Sequence, residues 1–204
     1  MIPRILHFIW VGSPVPEPVR VRWDAWRRMH PAWKIRTWTS AAMSGTDALP
    51  ATEPVLIADF LRLEKVLDYG GVYVDSDTWP LRPLDPLTGD VPTWVSTIRP
   101  GLVNNAAFGA RPGDPFLEAV WEQAVYRLRN NTHRRLNYIA GPPLWTRVHR
   151  DHPEVTALPA EAFTPISHGP AARRAAHDLT AVAAAYPSAY SIHEFSQAWQ
   201  KGRS

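Results

Sequence analysis

Apolar residues run from Ile5 to Val11 with only His7 interrupting, and Gly12-Ser13-Pro14 close the run. A short stretch that is apolar on both faces and bounded by turn residues predicts a buried, parallel first strand over Arg4 to Val11. From Pro18 to His30 the apolar positions Val19, Trp23, Trp26 and Met29 recur at helical spacing, and Pro31 ends the pattern. Trp33 to Thr39 alternates as a strand does, with Trp33, Ile35 and Thr37 on one face and Lys34, Arg36 and Trp38 on the other. Ala41 to Glu53, small and polar, reads as a connecting loop. Pro54 to Tyr69 carries the clearest helical pattern: Pro54 suits the first turn, Leu56, Phe60, Leu63 and Leu67 form the apolar stripe, and Gly70-Gly71 stop it. Val72-Tyr73-Val74 then predicts a short strand that delivers Asp75 and Asp77 at its end.

Beyond a proline-rich stretch from Trp79 to Pro92, the pattern predicts strands over Thr93 to Ile98 and near Ala106 to Ala110. A helix is expected from about Asp114 to Arg129, with Asp114 as its cap. Gly141-Pro142-Pro143 opens a further helical turn toward His149, and Ala189 to His193 reads as a last strand after several short apolar pieces. Strands alternating with helices predict an α/β sandwich with a mostly parallel central sheet. The 204 residues, 45% of them hydrophobic, are enough to bury one core, so residues 1–204 are expected to form a single domain.

Composition narrows the chemistry. There is no cysteine, which excludes disulfides, thiolate metal sites and a cysteine nucleophile, so any metal must bind through oxygen or imidazole. The apolar run near Met1 is too short for a signal peptide or a membrane span, and the expectation is a soluble, cytoplasmic protein. A net charge of +3, spread along the chain, points away from nucleic acid and toward a solvated basic surface or a small anionic ligand. Ten tryptophans offer platforms for bases and sugar rings, although most are expected in the core.

Asp75-Ser76-Asp77 places two carboxylates at the end of a buried strand. Like charges held close repel unless a cation neutralises them, and hard oxygen donors without thiols favour Mg²⁺ or Mn²⁺ over zinc. Asp-x-Asp alone is equally a capped turn. Asp59 and Arg62, three apart on the preceding helix, share a face. There the arginine can contact phosphate while Asp59 accepts from a ribose hydroxyl or orients the arginine; a surface ion pair is the bland alternative.

The blocks Ile2 to Gly12, Ala58-Asp59-Phe60-Leu61-Arg62 and Gly70-Gly71-Val72-Tyr73-Val74-Asp75-Ser76-Asp77 resemble, in content and order, the DXD-containing sugar transferases. That family includes yeast initiating mannosyltransferases, bacterial capsular polysaccharide transferases and, more distantly, clostridial toxin glucosyltransferases. Asn104-Asn105-Ala106, Gly141-Pro142 and His193 to Trp199 also look like family blocks. The resemblance implies a GT-A fold and a UDP-sugar or GDP-sugar donor held with Mn²⁺ or Mg²⁺. It implies that Trp10 stacks on the base, with Val11 beside it, and that Asp59 and Arg62 meet ribose, donor sugar or phosphate. Asp75 is implied to reach ribose and metal, Asp77 to ligate the metal, and Asn105 to face the donor sugar. At the C-terminal end relatives show paired histidines and a Ser-Trp pair, where this chain has His193-Glu194 and Ala198-Trp199. His193 and Glu194 become the candidate metal ligands there, and Trp199 is implied to close over the diphosphate. Hexose transfer to a hydroxyl of a small molecule or short glycan, with retention, follows from the same resemblance. Two rivals stand beside it: a nucleotide-sugar-binding protein without turnover, and a haloacid-type phosphatase. The phosphatase reading lacks its Thr or Val after one further residue, since Trp79 fills that place.

Overall fold

A computed structural model of the chain describes residues 1–39, 53–89, 91–130, 135–167 and 169–195. Its first strand β1 (Ile5–Ile9), helix α1 (Glu17–Met29), strand β2 (Lys34–Trp38), helix α2 (Pro54–Tyr69) and strand β3 (Gly71–Val74) follow the hydrophobic pattern within a residue or two. Then come β4 (Thr78–Pro80), β5 (Thr93–Arg99), β6 (Leu102–Ala110) and α3 (Pro115–Arg129). The last third holds α4 (Asn137–Ala140), α5 (Pro142–Arg150), β7 (Thr156–Ala157), α6 (Gly169–Ala175), α7 (Leu179–Ala185) and β8 (Ser191–His193).

Among the described residues, six strands form one sheet in the order β2-β1-β3-β6-β5-β7, and β4 pairs with β8 in a second, two-stranded sheet. β1 runs parallel to β2 and β3, while β6 runs against both β3 and β5, and β7 is parallel to β5. β6 is therefore the single reversed strand of the six, and the sheet is mostly parallel as expected. Strand alternation sends side chains to two cores. Leu6, Phe8, Val72 and Val74 join Trp23, Trp26 and Trp94 on the α1 face, whereas Ile9 and Tyr73 join Phe60, Phe108 and Trp145 under α2, α3 and α5. The result is an α/β sandwich around a mostly parallel sheet.

Local chemistry sets each boundary. Pro54 occupies the first turn of α2, where a missing N–H is harmless, and the Asp114 carboxylate caps α3 by accepting from the Phe116 N–H at 3.2 Å. Gly71, at φ +105°, begins β3 so close to β1 that a Cβ there would lie 2.5 Å from the Ile5 carbonyl oxygen. Only glycine fits both the backbone and the space. His7 fastens the same junction. Its Nε2–H donates to the Gly70 carbonyl at 2.8 Å, and its Nδ1 accepts from the Trp38 indole at 3.0 Å. The fully buried imidazole is held neutral, its pKa lowered to about 4, first by burial and further by Arg36 and Lys65, against the hydrogen bond to Gly70.

The sequence pattern had assigned no strand to Thr78–Pro80 and no helices to the stretch now forming α6 and α7. Three residues carry no readable periodicity, and β4 exists because its partner β8 returns from the far end of the chain, Thr78 facing His193. The expected loop from Ala41 to Glu53 lies, except for Glu53, outside the described residues, as does His168. No helix among the described residues is long and apolar enough to cross a membrane.

Candidate functional site

Because β1 and β3 are parallel neighbours, their carboxyl ends open side by side, and an α/β sheet presents its ligand-binding crevice there. β1 leads to Trp10 and Val11, and β3 leads to Asp75. The reversed strand β6 crosses beside them, fixed to the turn by the Asp75 N–H donating to the Ala106 carbonyl at 2.7 Å. A cleft of about 520 Å³ lies over this junction, within the range that holds a nucleotide-sized ligand. Trp10, Val11 and Pro54 line it, with Asp59, Arg62, Tyr73, Asp75, Asp77, Asn105, Asn137, Gly141 and His193.

Its floor is a buried electrostatic network. Arg62 reaches from α2 to three acceptors: Asp59 at 3.2 Å, Asp75 at 2.9 Å and the Asn105 carbonyl at 2.8 Å. Its Nε–H also donates to the Ala58 carbonyl at 3.3 Å. With side-chain exposures of 8% and 10%, Arg62 and Asp59 are a buried pair rather than the surface ion pair that spacing alone allowed. Burial pushes the Asp59 carboxyl up to about 6, opposed by Arg62, reinforced by Asp75, and opposed by the Asn105 amide that donates to it at 3.0 Å. For Arg62, burial works toward neutrality, but Tyr73, Asp75, Asp59 and Asp77 together outweigh it and hold the guanidinium charged. Tyr73 is a member the sequence reading left without a role. Its hydroxyl donates to Asp75 Oδ1 at 2.7 Å, and its ring lies under the Arg62 guanidinium at 4.6 Å. The signal was present in the strand period, because residues 73 and 75 point to the same side.

Asp75 is followed by a tight turn, with the Thr78 hydroxyl donating to the Asp75 carbonyl at 2.7 Å, and this turn swings Asp77 back beside Asp75. β8 then delivers His193, whose Nε2 is 2.9 Å from Asp77 Oδ1 and 3.7 Å from Asp75 Oδ2. One ligand atom from each of Asp75, Asp77 and His193 lies within 4.8 Å of the others. Two hard carboxylates and an imidazole, partly or fully buried and open to the cleft, fit a divalent cation. Burial works against charging the His193 ring, yet Asp77 and Asp75 raise its pKa above the ordinary value.

One expected ligand stands elsewhere. The Glu194 carboxylate turns away from the acids, accepting from the Trp79 indole at 2.5 Å and from the Arg22 guanidinium, so the cluster at the cleft floor holds His193 and not Glu194. The extended pairing continues one residue past β8, with the Glu194 N–H donating to the Asp77 carbonyl, and alternation there turns the Glu194 side chain to the side opposite His193. Trp199 lies outside the described residues. Trp10 and Val11 line the same cleft, half-buried, with the Trp10 indole donating to the Ser13 hydroxyl at 3.0 Å.

Comparison with known proteins bears on the sequence region around the acids and on the fold. Residues 16–94 match the family described as "Glycosyltransferase sugar-binding region containing DXD motif". Inositol phosphoceramide mannosyltransferase 1 of Schizosaccharomyces pombe is 28% identical over 146 residues, covering 65% of this chain and 44% of that protein. The chain thus spans less than half the length of this curated relative. Among solved structures, PaToxG Glycosyltransferase superposes with a TM-score of 0.64 at 15% identity, covering 74% of this chain and 70% of that one. The UDP-bound glycosyltransferase domain from the YGT toxin gives 0.58 at 10% identity, with 77% and 79% covered. At these identities the solved structures establish the fold.

Proposed function

We propose that this member of the DXD-containing sugar transferases, glycosyltransferase in family and GT-A in fold, moves a hexose from a nucleoside diphosphate to a hydroxyl acceptor in a metal-dependent reaction. The observation that carries the reading is the convergence of Asp75, Asp77 and His193 on one point of a cleft that Trp10 and Val11 also line. The span suits a base at the tryptophan, a ribose and diphosphate along α2, and a sugar toward Asn105 and Gly141-Pro142. The mannosyltransferase and UDP-bound relatives support a GDP-sugar or UDP-sugar donor. Residues 1–204 are taken as one catalytic domain, and the absence of cysteine suits a reducing, cytoplasmic setting.

Bond cleavage at the anomeric carbon leaves extra negative charge on the departing diphosphate, so the site must present positive charge there without rearrangement. Asp75, Asp77 and His193 would hold a divalent cation there, and its chemistry would be Lewis acidity toward the diphosphate. Arg62, whose donors are largely committed to Asp59, Asp75, Ala58 and Asn105, acts mainly by fixing the two aspartates and by its field. Asp59 and Asn105, joined by a 3.0 Å hydrogen bond on the sugar side, hold donor hydroxyls. Retention, with acceptor attack from the leaving-group face, rests on the family resemblance.

Thermal unfolding tests the reading: wild type and Asp77→Ala are compared against UDP, GDP and their sugars, with Mn²⁺ or with chelator. A nucleotide at a hundredfold its Kd should stabilise the wild type by about 2.7 kcal/mol, only with metal, and leave the variant unmoved. Absence of any nucleotide shift in wild type under every metal condition would sink it.

A further inference from the structure

The C-terminal segment that brings His193 to the acids is gripped from behind. Glu194 is buried, and its carboxylate is shared by Arg22 of α1 and Trp79 of β4, with the Arg22 guanidinium 5.6 Å over the Trp79 ring. Both members of the Arg22–Glu194 pair keep only 11% side-chain exposure, and Arg22 uses its other terminal nitrogen on the Pro18 carbonyl at 3.1 Å. The Glu194 N–H donates to the Asp77 carbonyl at 3.0 Å, so the backbone beside the acid pair is tied to the same residue. Phe195 completes the grip: its ring stacks on His193 at 4.1 Å, its backbone takes φ +50°, and its carbonyl accepts from Arg173 at 3.2 Å. A bulky residue in the left-handed region persists only where its surroundings impose it.

We propose that Arg22 is a positioning residue for the cation site: by holding Glu194 against Trp79 it fixes the aim of the His193 imidazole at Asp75 and Asp77. The inference rests on the metal reading of that cluster. A charged pair between the first helix and the residue that follows the last strand is a long-range contact, and its effect on the site is directional. Once freed from Arg22, Glu194 is no longer drawn away from the cluster, and the His193 ring loses its fixed backbone. Partners that orient a ligand in this way commonly change metal affinity by about 10- to 100-fold.

The test uses the whole chain and Mn²⁺ alone. Binding is titrated by electron paramagnetic resonance, and nitrogen coupling from the His193 imidazole is read by electron spin echo modulation, for wild type, Arg22→Met, Arg22→Lys and the double variant Arg22→Met/Glu194→Gln. The double variant leaves no unpaired buried charge and keeps the comparison valid where the single one folds poorly. Positioning predicts that Arg22→Met and the double variant bind Mn²⁺ about 10- to 100-fold more weakly with diminished nitrogen coupling, and that Arg22→Lys recovers part of the loss. Unchanged binding by folded Arg22→Met overturns the proposal because Arg22 then does not set the aim of His193, and tighter binding overturns it because Glu194 is then a ligand that Arg22 restrains. A wild type that binds no Mn²⁺ overturns the metal reading and the proposal with it, an outcome the wild-type arm identifies by itself.

Discussion

Lowering the pH should weaken this protein through His7, and the size of the effect follows from its environment. The imidazole is wholly buried between the Gly70 carbonyl and the Trp38 indole, and its pKa falls from 6.5 to about 4 on folding. The unfolded chain therefore takes up a proton that the folded chain refuses. The stability linked to neutral His7 is fully present above the unfolded value and is lost as the pH falls from there through the folded value. Across the whole interval the loss is about 3 kcal/mol, and roughly 2 kcal/mol of it has gone by about pH 5. Replacing His7 by Gln keeps a donor and an acceptor at the junction but removes the titrating proton. Urea unfolding at about pH 7.5 and about pH 5, followed by tryptophan fluorescence, measures both proteins. His30, lowered by burial, and Asp59 and His193, both raised, titrate alike in the two and cancel in the difference. Between the two pH values the wild type should lose about 2 kcal/mol more than His7→Gln. Losses that match within about 0.5 kcal/mol would show that the buried histidine is not what makes the fold acid-sensitive.

Two further substitutions probe the route from fold to site. Gly71→Ala introduces a Cβ 2.5 Å from the Ile5 carbonyl at φ +105°, and should cost about 2–4 kcal/mol in denaturant unfolding; a loss under about 1 kcal/mol would mean that β1 and β3 separate easily. Tyr73→Phe deletes the 2.7 Å hydrogen bond to Asp75 while keeping the ring beneath Arg62, so kcat/KM for sugar transfer should fall about tenfold, and an unchanged value would show that Arg62 alone orients Asp75.

Much of the scaffold was legible because its periodicity is strong. The α2 helix matches its predicted limits, Pro54 to Tyr69, since proline, an apolar stripe and a double glycine all mark the same segment. The acids and Arg62 were legible for a related reason: they sit one element apart in sequence and are joined by that double glycine. What could not be read were pairings made only by the closed chain. Spacing makes Asp59 and Arg62 neighbours, but their burial depends on β6, whose Asn105 amide and carbonyl complete the shell. Glu194 is an acid next to a histidine in sequence, and its commitment to Arg22 and Trp79 appears only when α1, β4 and β8 meet. His7 had no role to assign until the Trp38 indole and the Gly70 carbonyl closed on its two nitrogens.

The charge balance at the cleft floor explains why the fold tolerates so many acids in one place. Among the described residues, Asp59, Asp75 and Asp77 face one permanent cation, Arg62, so two negative charges are left over when all three acids are ionised and His193 is neutral. The protein reduces the strain in two visible ways: Asp59 is driven toward its protonated form, and His193 toward its charged one. The His193 shift answers the charges of Asp77 and Asp75, whereas burial is the first cause of the Asp59 shift and Asp75 adds to it; a divalent cation beside Asp75, Asp77 and His193 would supply positive charge where those three donors converge. A structural turn would need neither the buried arginine nor an imidazole brought from the last strand. The diphosphate site proposed above needs both, because positive charge that quiets the aspartates would also stabilise the leaving group once the sugar departs.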